Sequence, residues 1–380
     1  MNSRQRIQLA LTHQSPDRVP FDLGASNVTG IHLQALLRLR QHLGLAETLP
    51  PLVNRIEQIG LVDEDLRQRL QIDVEGIWPQ AAASFQLDLQ DRGPDWYFRD
   101  EWGVGRRMPK DGLYFDLVDY PLVRAHSSAD VEAFAWPDAS DPARFTGMAE
   151  HARQITQQRG RACMLTGITA GVMETSSWQR GFDSFYTDLV ENRDLIEALF
   201  DKVVEIKMAY WEKALALLGD DVDVVVEADD LGTQTSLLIS PRMYRSLLKP
   251  RHKRLFEFIH ARTNAKIFFH SCGAVKPLIP DLIEVGVDIL NPVQVSASGM
   301  DTGELKREFG KDIVFWGGGV DTQHVLGAGS PDEVRTEVRQ RVTDLAPGGG
   351  FVFATVHCIQ ANVPAENIQA MWEALYEKQL

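Results

Sequence analysis

The feature that most constrains this chain is one repeated pattern: a short apolar run bounded by turn residues, followed by a stretch with helical apolar spacing. Runs of the first kind fall at about positions 20, 74, 165, 225, 268, 289, 315 and 353. Parallel strands need crossover connections, and eight strand-then-helix units in succession are what a (β/α)8 TIM barrel requires. A doubly wound open sheet is the alternative, but no Gly-rich dinucleotide turn follows the first strand. Local signals agree with the helices. The stretch from Asn192 to Leu218 stops at Gly219, Ser240 precedes Pro241 as an N-cap, and Ser330 with Glu333 forms a capping box.

One segment breaks the alternation. Residues 87–123 are rich in aromatics, Gly and Pro, with short β-type runs between turn signals. They predict a small hairpin or sheet inserted after the second strand of a single barrel domain spanning 1–380. Trp96, Tyr97, Phe98 and Trp102 in this segment are expected to pack, not to stack on a ligand.

With 380 residues and 44% hydrophobic content, the chain can bury a large core. A formal charge of −14 argues against a nucleic-acid surface, and the densest basic cluster, Arg251 to Phe258, reads as a solvated helix face or a site for one small anion. No apolar stretch is long enough to cross a membrane, and the first twenty residues lack an apolar leader core, which predicts a cytoplasmic protein. The three cysteines, Cys163, Cys272 and Cys358, are too few for a disulfide framework.

In a barrel of this kind the chemistry collects at the C-terminal strand ends. Strand one delivers Asp22 and Asn27; strand four Glu227, Asp229 and Asp230; strand five His270 and Cys272; strand six Asn291; strand eight His357 and Cys358. His270 and Cys272 are two apart and share a side of their strand. With Cys358 they make a three-donor set suited to Zn²⁺, leaving a coordination position for another ligand. Cys163, inside an apolar run, is expected in the core. Glu227 and Asp229 share parity and are the candidate catalytic carboxylates, Glu227 preferred as a displaceable fourth ligand. Asn27, Asp230, Gln234 and Asn291 are candidate hydrogen-bonding residues for substrate. His357 has the opposite parity to Cys358 and is expected to orient neighbours without binding metal.

Three stretches, "EADDLGTQTSLLISPRMY" from Glu227, "FFHSCGAVKPLIPDLIEVGVDILNPVQ" from Phe268 and "VHCIQANVPAENIQAMWEA" from Val356, resemble the uroporphyrinogen decarboxylase superfamily in its methyltransferase-like branch. The resemblance is strong over roughly the last 220 residues and weaker before them. It implies an (α/β)8 barrel. It further implies zinc bound through His-x-Cys…Cys, here His270, Cys272 and Cys358. The reaction implied is methyl transfer between a corrinoid on a separate partner protein and a thiol or methylated small molecule. The superfamily's decarboxylases use an Arg-rich motif after the first strand, whereas this chain has no arginine between Arg18 and Arg38. A decarboxylase remains the alternative, and a non-catalytic small-molecule or corrinoid-binding barrel the second.

Overall fold

The computed structural model describes residues 1–46 and 48–377. Seven parallel strands form one curved sheet, each beside the next in chain order: β2 (Val74–Ile77), β3 (Ala162–Leu165), β4 (Val224–Ala228), β5 (Lys266–His270), β6 (Ile289–Asn291), β7 (Val314–Trp316) and β8 (Phe351–Val352). An extended segment at residues 20–22, here β1, closes the ring. The Phe353 N–H donates to Pro20 O at 2.8 Å and Asp22 N–H to Phe353 O at 2.9 Å. On the other side Asp73 N–H donates to Phe21 O at 2.8 Å, so both sheet edges are paired through this one segment. The fold is the eight-unit barrel expected from the alternation.

Nearly continuous apolar strands let the barrel bury two faces at once. Val74, Ala162, Met164, Val224, Phe268, Ile289, Val314, Trp316 and Val352 point inward and pack as one cluster. Ile7, Ala10 and Leu11 of the first helix, Ser3–Leu11, join that cluster. The alternate residues, among them Cys163, Val225, Ile267 and Leu290, face the surrounding helices. Cys163 is thus a core residue, as expected.

The helix signals are realised locally. Ser330 and Glu333 cap Pro331–Leu345 reciprocally, and helix Arg193–Leu218 ends at Gly219 in a positive-φ conformation. The basic run differs from expectation: Arg251 and His252 turn inward, because Arg251 pairs with Asp201 at 2.8 Å and His252 with Asp229 at 2.9 Å. No helix among the described residues is long and apolar enough to cross a membrane.

Between β2 and β3 stands a four-stranded antiparallel sheet: Gln90–Arg92, Asp95–Arg99, Gly105–Pro109 and Asp116–Asp119. Its aromatics pack, with Tyr97, Phe98 and Trp102 buried and Phe98 edge-on to Phe115 at 4.8 Å. A small hairpin, Leu52–Asn54 with Ile59–Gly60, was not legible as strand; its turn carries Glu57.

Candidate metal centre

Strand parity decides which polar residues reach the barrel mouth. On β5, Phe268 points inward, so His270 does too, and Cys272 continues the same side beyond the strand end. The chain must then turn sharply. Gly273 has φ +94°, and a Cβ there would lie 2.4 Å from the Gly232 carbonyl carbon. Only glycine lets the loops after β4 and β5 approach this closely, which explains the third residue of "SCG".

His270, Cys272 and His357 bring one ligand atom each to within 4.8 Å of one another. His270 Nε2 is 3.4 Å from Cys272 Sγ, and His357 Nδ1 is 3.1 Å from Cys358 Sγ. Two imidazoles and one thiol therefore converge, and Cys358, the expected third ligand, stands beside His357 outside that group. The parity argument against His357 fails because β8 ends at Val352, and the chain at His357 bends, so strand alternation no longer applies.

Asn291 sets the tautomer of His270. Its Nδ2 donates to Trp316 O at 2.8 Å, which leaves Oδ1 facing His270 Nδ1 at 2.6 Å. That oxygen can only accept, so the proton sits on Nδ1 and the Nε2 lone pair faces Cys272. Trp316 is held in turn, its indole N–H donating to Asp22 Oδ2 at 3.0 Å. Burial pushes the Asp22 carboxyl up to about 7, against the hydrogen bonds from Thr29, Trp316 and Ala25.

Cys358 is reached from the inserted segment. Gln360 donates to Cys358 Sγ at 3.0 Å, and the Tyr114 hydroxyl donates to Gln360 Oε1. Both mouth thiols are pushed upward. For Cys272 the causes are burial and then the charges of Asp230, Glu174 and Cys358; for Cys358 they are burial and then Glu57. Burial and the neighbouring His270 push His357 down, which keeps a lone pair available. A soft-to-borderline donor set in an anionic surrounding fits a divalent cation such as zinc, because the cation reverses both unfavourable terms for the thiolates.

The other expected residues divide. Asp230 reaches the mouth: it accepts from Cys272 N–H at 2.8 Å and lies 3.7 Å from His270 Nε2. Asn27 lies on the rim, donating to Glu57 Oε2 at 3.1 Å, and Gln234 lies among exposed loops, bonded to Gln323 at 2.8 Å. Glu227 and Asp229 share a side, but it is the outer one. Glu227 pairs with Lys207 at 3.0 Å and accepts from the Trp211 indole at 2.6 Å. Asp229 accepts the Met173 and Glu174 backbone N–H groups at 3.0 and 2.9 Å, and also contacts His252. Neither carboxylate is directed at the His/Cys cluster, which corrects their assignment as catalytic residues. The cause is that β4 is apolar on both faces, so its sequence leaves parity undetermined.

Residues that the sequence left unnoticed include Glu57, Glu174, Tyr114 and Gln360. Glu174 sits in the first turn of Val172–Arg180, whose start is pressed onto Asp229; a Cβ at Gly171 would lie 2.1 Å from Asp229 Oδ1. The "GVMET" start and the Gln two places after Cys358 were readable signals, whereas Glu57 had none.

A closed parallel barrel with a polar donor cluster at the C-terminal strand ends defines a barrel enzyme. The chain belongs to the uroporphyrinogen decarboxylase (URO-D) family, whose model matches residues 112–378. It is 25% identical over 294 residues to a uroporphyrinogen decarboxylase of Alkalilimnicola ehrlichii, covering 73% of each chain. Its fold matches a methyltransferase from Methanosarcina mazei with TM-score 0.65, 19% identity and all of both chains covered.

Proposed function

We propose that this protein is a zinc-dependent methyltransferase that moves a methyl group between a corrinoid, carried by a separate protein, and a thiol or methylated small molecule. The observation that carries the reading is the convergence of His270, Cys272 and His357 at the barrel mouth, with Cys358 Sγ 3.1 Å from His357 Nδ1. His270, Cys272 and Cys358 are the firm donors, and His357 is the fourth, which yields its place to a substrate heteroatom. Zinc bound there supplies Lewis acidity that holds a thiol as thiolate at neutral pH.

The protein's own residues do the rest. Asn291 keeps the His270 lone pair aimed at the site, and Gln360 donates to Cys358 Sγ, favouring the thiolate. Asp230 anchors the loop through Cys272 N–H and stands ready to receive a proton released by an incoming thiol. The test measures zinc in the purified protein and methyl transfer from methylcobalamin to a panel of thiols. Stoichiometric zinc with transfer supports the reading. Full activity of any kind in zinc-free protein would remove it.

The name of the Alkalilimnicola relative favours a second reading, decarboxylation of a tetrapyrrole acid. Against it stands the character of the mouth. Arg18, the arginine nearest the first strand, is engaged with Asp73 at 2.7 Å, and the groups beside the His/Cys cluster are acids. A polycarboxylate needs cationic partners when buried.

A further inference from the structure

We propose that Tyr114, from the inserted sheet, is a positioning residue for the metal donor Cys358: it holds the Gln360 amide with its nitrogen toward the Cys358 sulfur. This deepens the zinc methyltransferase reading and rests on it for the metal, though not for the contacts themselves.

The orientation of the Gln360 amide follows from its partners. Gln360 Nε2 lies 3.1 Å from Cys358 O and 3.0 Å from Cys358 Sγ. A carbonyl oxygen can only accept, so the amide nitrogen faces Cys358 and Oε1 is turned away from it. There Oε1 takes the Tyr114 hydroxyl. Burial, then the charges of Cys358 and Glu57, raise that hydroxyl above its ordinary value, so it keeps its proton and donates. If the amide turned over, Oε1 would stand against the sulfur, and two electron-rich atoms would repel. The hydroxyl and the Cys358 carbonyl together select the orientation in which a donor meets Cys358 Sγ.

A second, independent observation is that the inserted sheet is fastened at this point. Tyr114 lies in the loop between the strands Gly105–Pro109 and Asp116–Asp119. His32 caps helix Leu33–His42: its Nδ1 accepts the Gln34 N–H at 3.1 Å, which puts the proton on Nε2, facing Leu113 O at 3.4 Å. The His32 backbone N–H donates to Ile359 O at 2.8 Å. One buried residue thus ties the loop that carries Tyr114 to the residue between Cys358 and Gln360. Its ring meets Tyr114 edge-on at 5.8 Å, and on the other side Phe115 N–H donates to Ile56 O at 3.0 Å. A tyrosine that merely packs in a surface loop turns its hydroxyl to water. Here the hydroxyl turns to the side chain that touches Cys358, 246 residues away in the chain from Gln360.

The experiment measures metal on the full chain, by zinc competition with a chromogenic chelator and by the sulfur-to-metal charge-transfer absorption of the cobalt(II)-loaded protein. Tyr114→Phe keeps the ring against His32 and removes only the hydroxyl; Gln360→Leu removes the amide. We expect Tyr114→Phe to weaken zinc binding at least about threefold and to shift the cobalt absorption, and Gln360→Leu to weaken it at least about tenfold. Tyr114→Phe added to Gln360→Leu should cost nothing more, because the hydroxyl acts through the amide. Unchanged affinity and absorption in Tyr114→Phe, or losses that add in the double variant, would overturn the proposal. Should Tyr114→Phe fold poorly, Gln360→Glu keeps an acceptor for the hydroxyl but offers the sulfur no donor; it should also lose at least about tenfold in zinc affinity, and wild-type affinity there would overturn the proposal as well. Methyl transfer from methylcobalamin to 2-mercaptoethanol by the zinc-loaded wild type separates the two readings. The metal effects without any transfer would defeat the reaction and leave the positioning standing, and transfer without the metal effects would do the reverse.

Discussion

His270 Nδ1 and Asn291 Oδ1 lie 2.6 Å apart at the ends of neighbouring strands β5 and β6, paired in register. This contact fixes a lone pair in the barrel mouth. Asn291→Ala should weaken zinc binding by about 10–100-fold. Asn291→Asp keeps an acceptor for Nδ1 and should stay within a few-fold of wild type. Competition with a chromogenic chelator at fixed pH separates the two; equal losses would show that Asn291 merely packs.

His357 and Cys358 are adjacent in sequence yet have different expected roles. Removing a firm donor in Cys358→Ala should lower zinc affinity by more than about 100-fold, and removing the displaceable one in His357→Ala by about 10-fold. Zinc titration of both variants checks this. The reverse order would exchange their assignments.

Glu227 supports the wall of the barrel, not its chemistry. Lys207 and Glu227 are 0% and 2% exposed, so Glu227→Gln leaves a buried ammonium with little compensation. The loss of stability should be about 3–5 kcal/mol, with zinc content unchanged in the folded fraction. Denaturant unfolding together with metal analysis measures both, and loss of zinc from folded protein would restore Glu227 to the site.

Asp22 makes stability depend on pH. Its folded value of about 7 lies above the ordinary 3.8. Between roughly pH 4 and 7 the unfolded chain has therefore released a proton that the folded chain retains, and stability falls as pH rises through this window, levelling above it. The change is on the order of 4 kcal/mol. Asp22→Asn should remove this slope, so the variant gains on wild type from pH 5 to pH 8. Unfolding of chelator-treated protein at several pH values reads the difference, and parallel curves would contradict the assignment.

The repeated strand-and-helix pattern, the capping box at Ser330 and the "HSC" turn were legible because they depend on neighbours within a few residues. The pairing of His270 with Cys272 was legible for the same reason: period-two alternation carries it. Alternation gave no such help on β4, apolar on both faces, where Glu227 and Asp229 were read as inward and face the helices. It also misled beyond the end of β8, where the chain bends and brings His357 into the cluster.

By itself, then, the sequence determined that the chain alternates strand and helix, and that a histidine and two cysteines stand at strand ends. Only the tertiary structure decided which carboxylates share the mouth with them. Asp230 accepts from Cys272 N–H at 2.8 Å across 42 residues of chain, and the packing that brings it there follows from barrel closure and the close loop contact at Gly273, not from any local spacing.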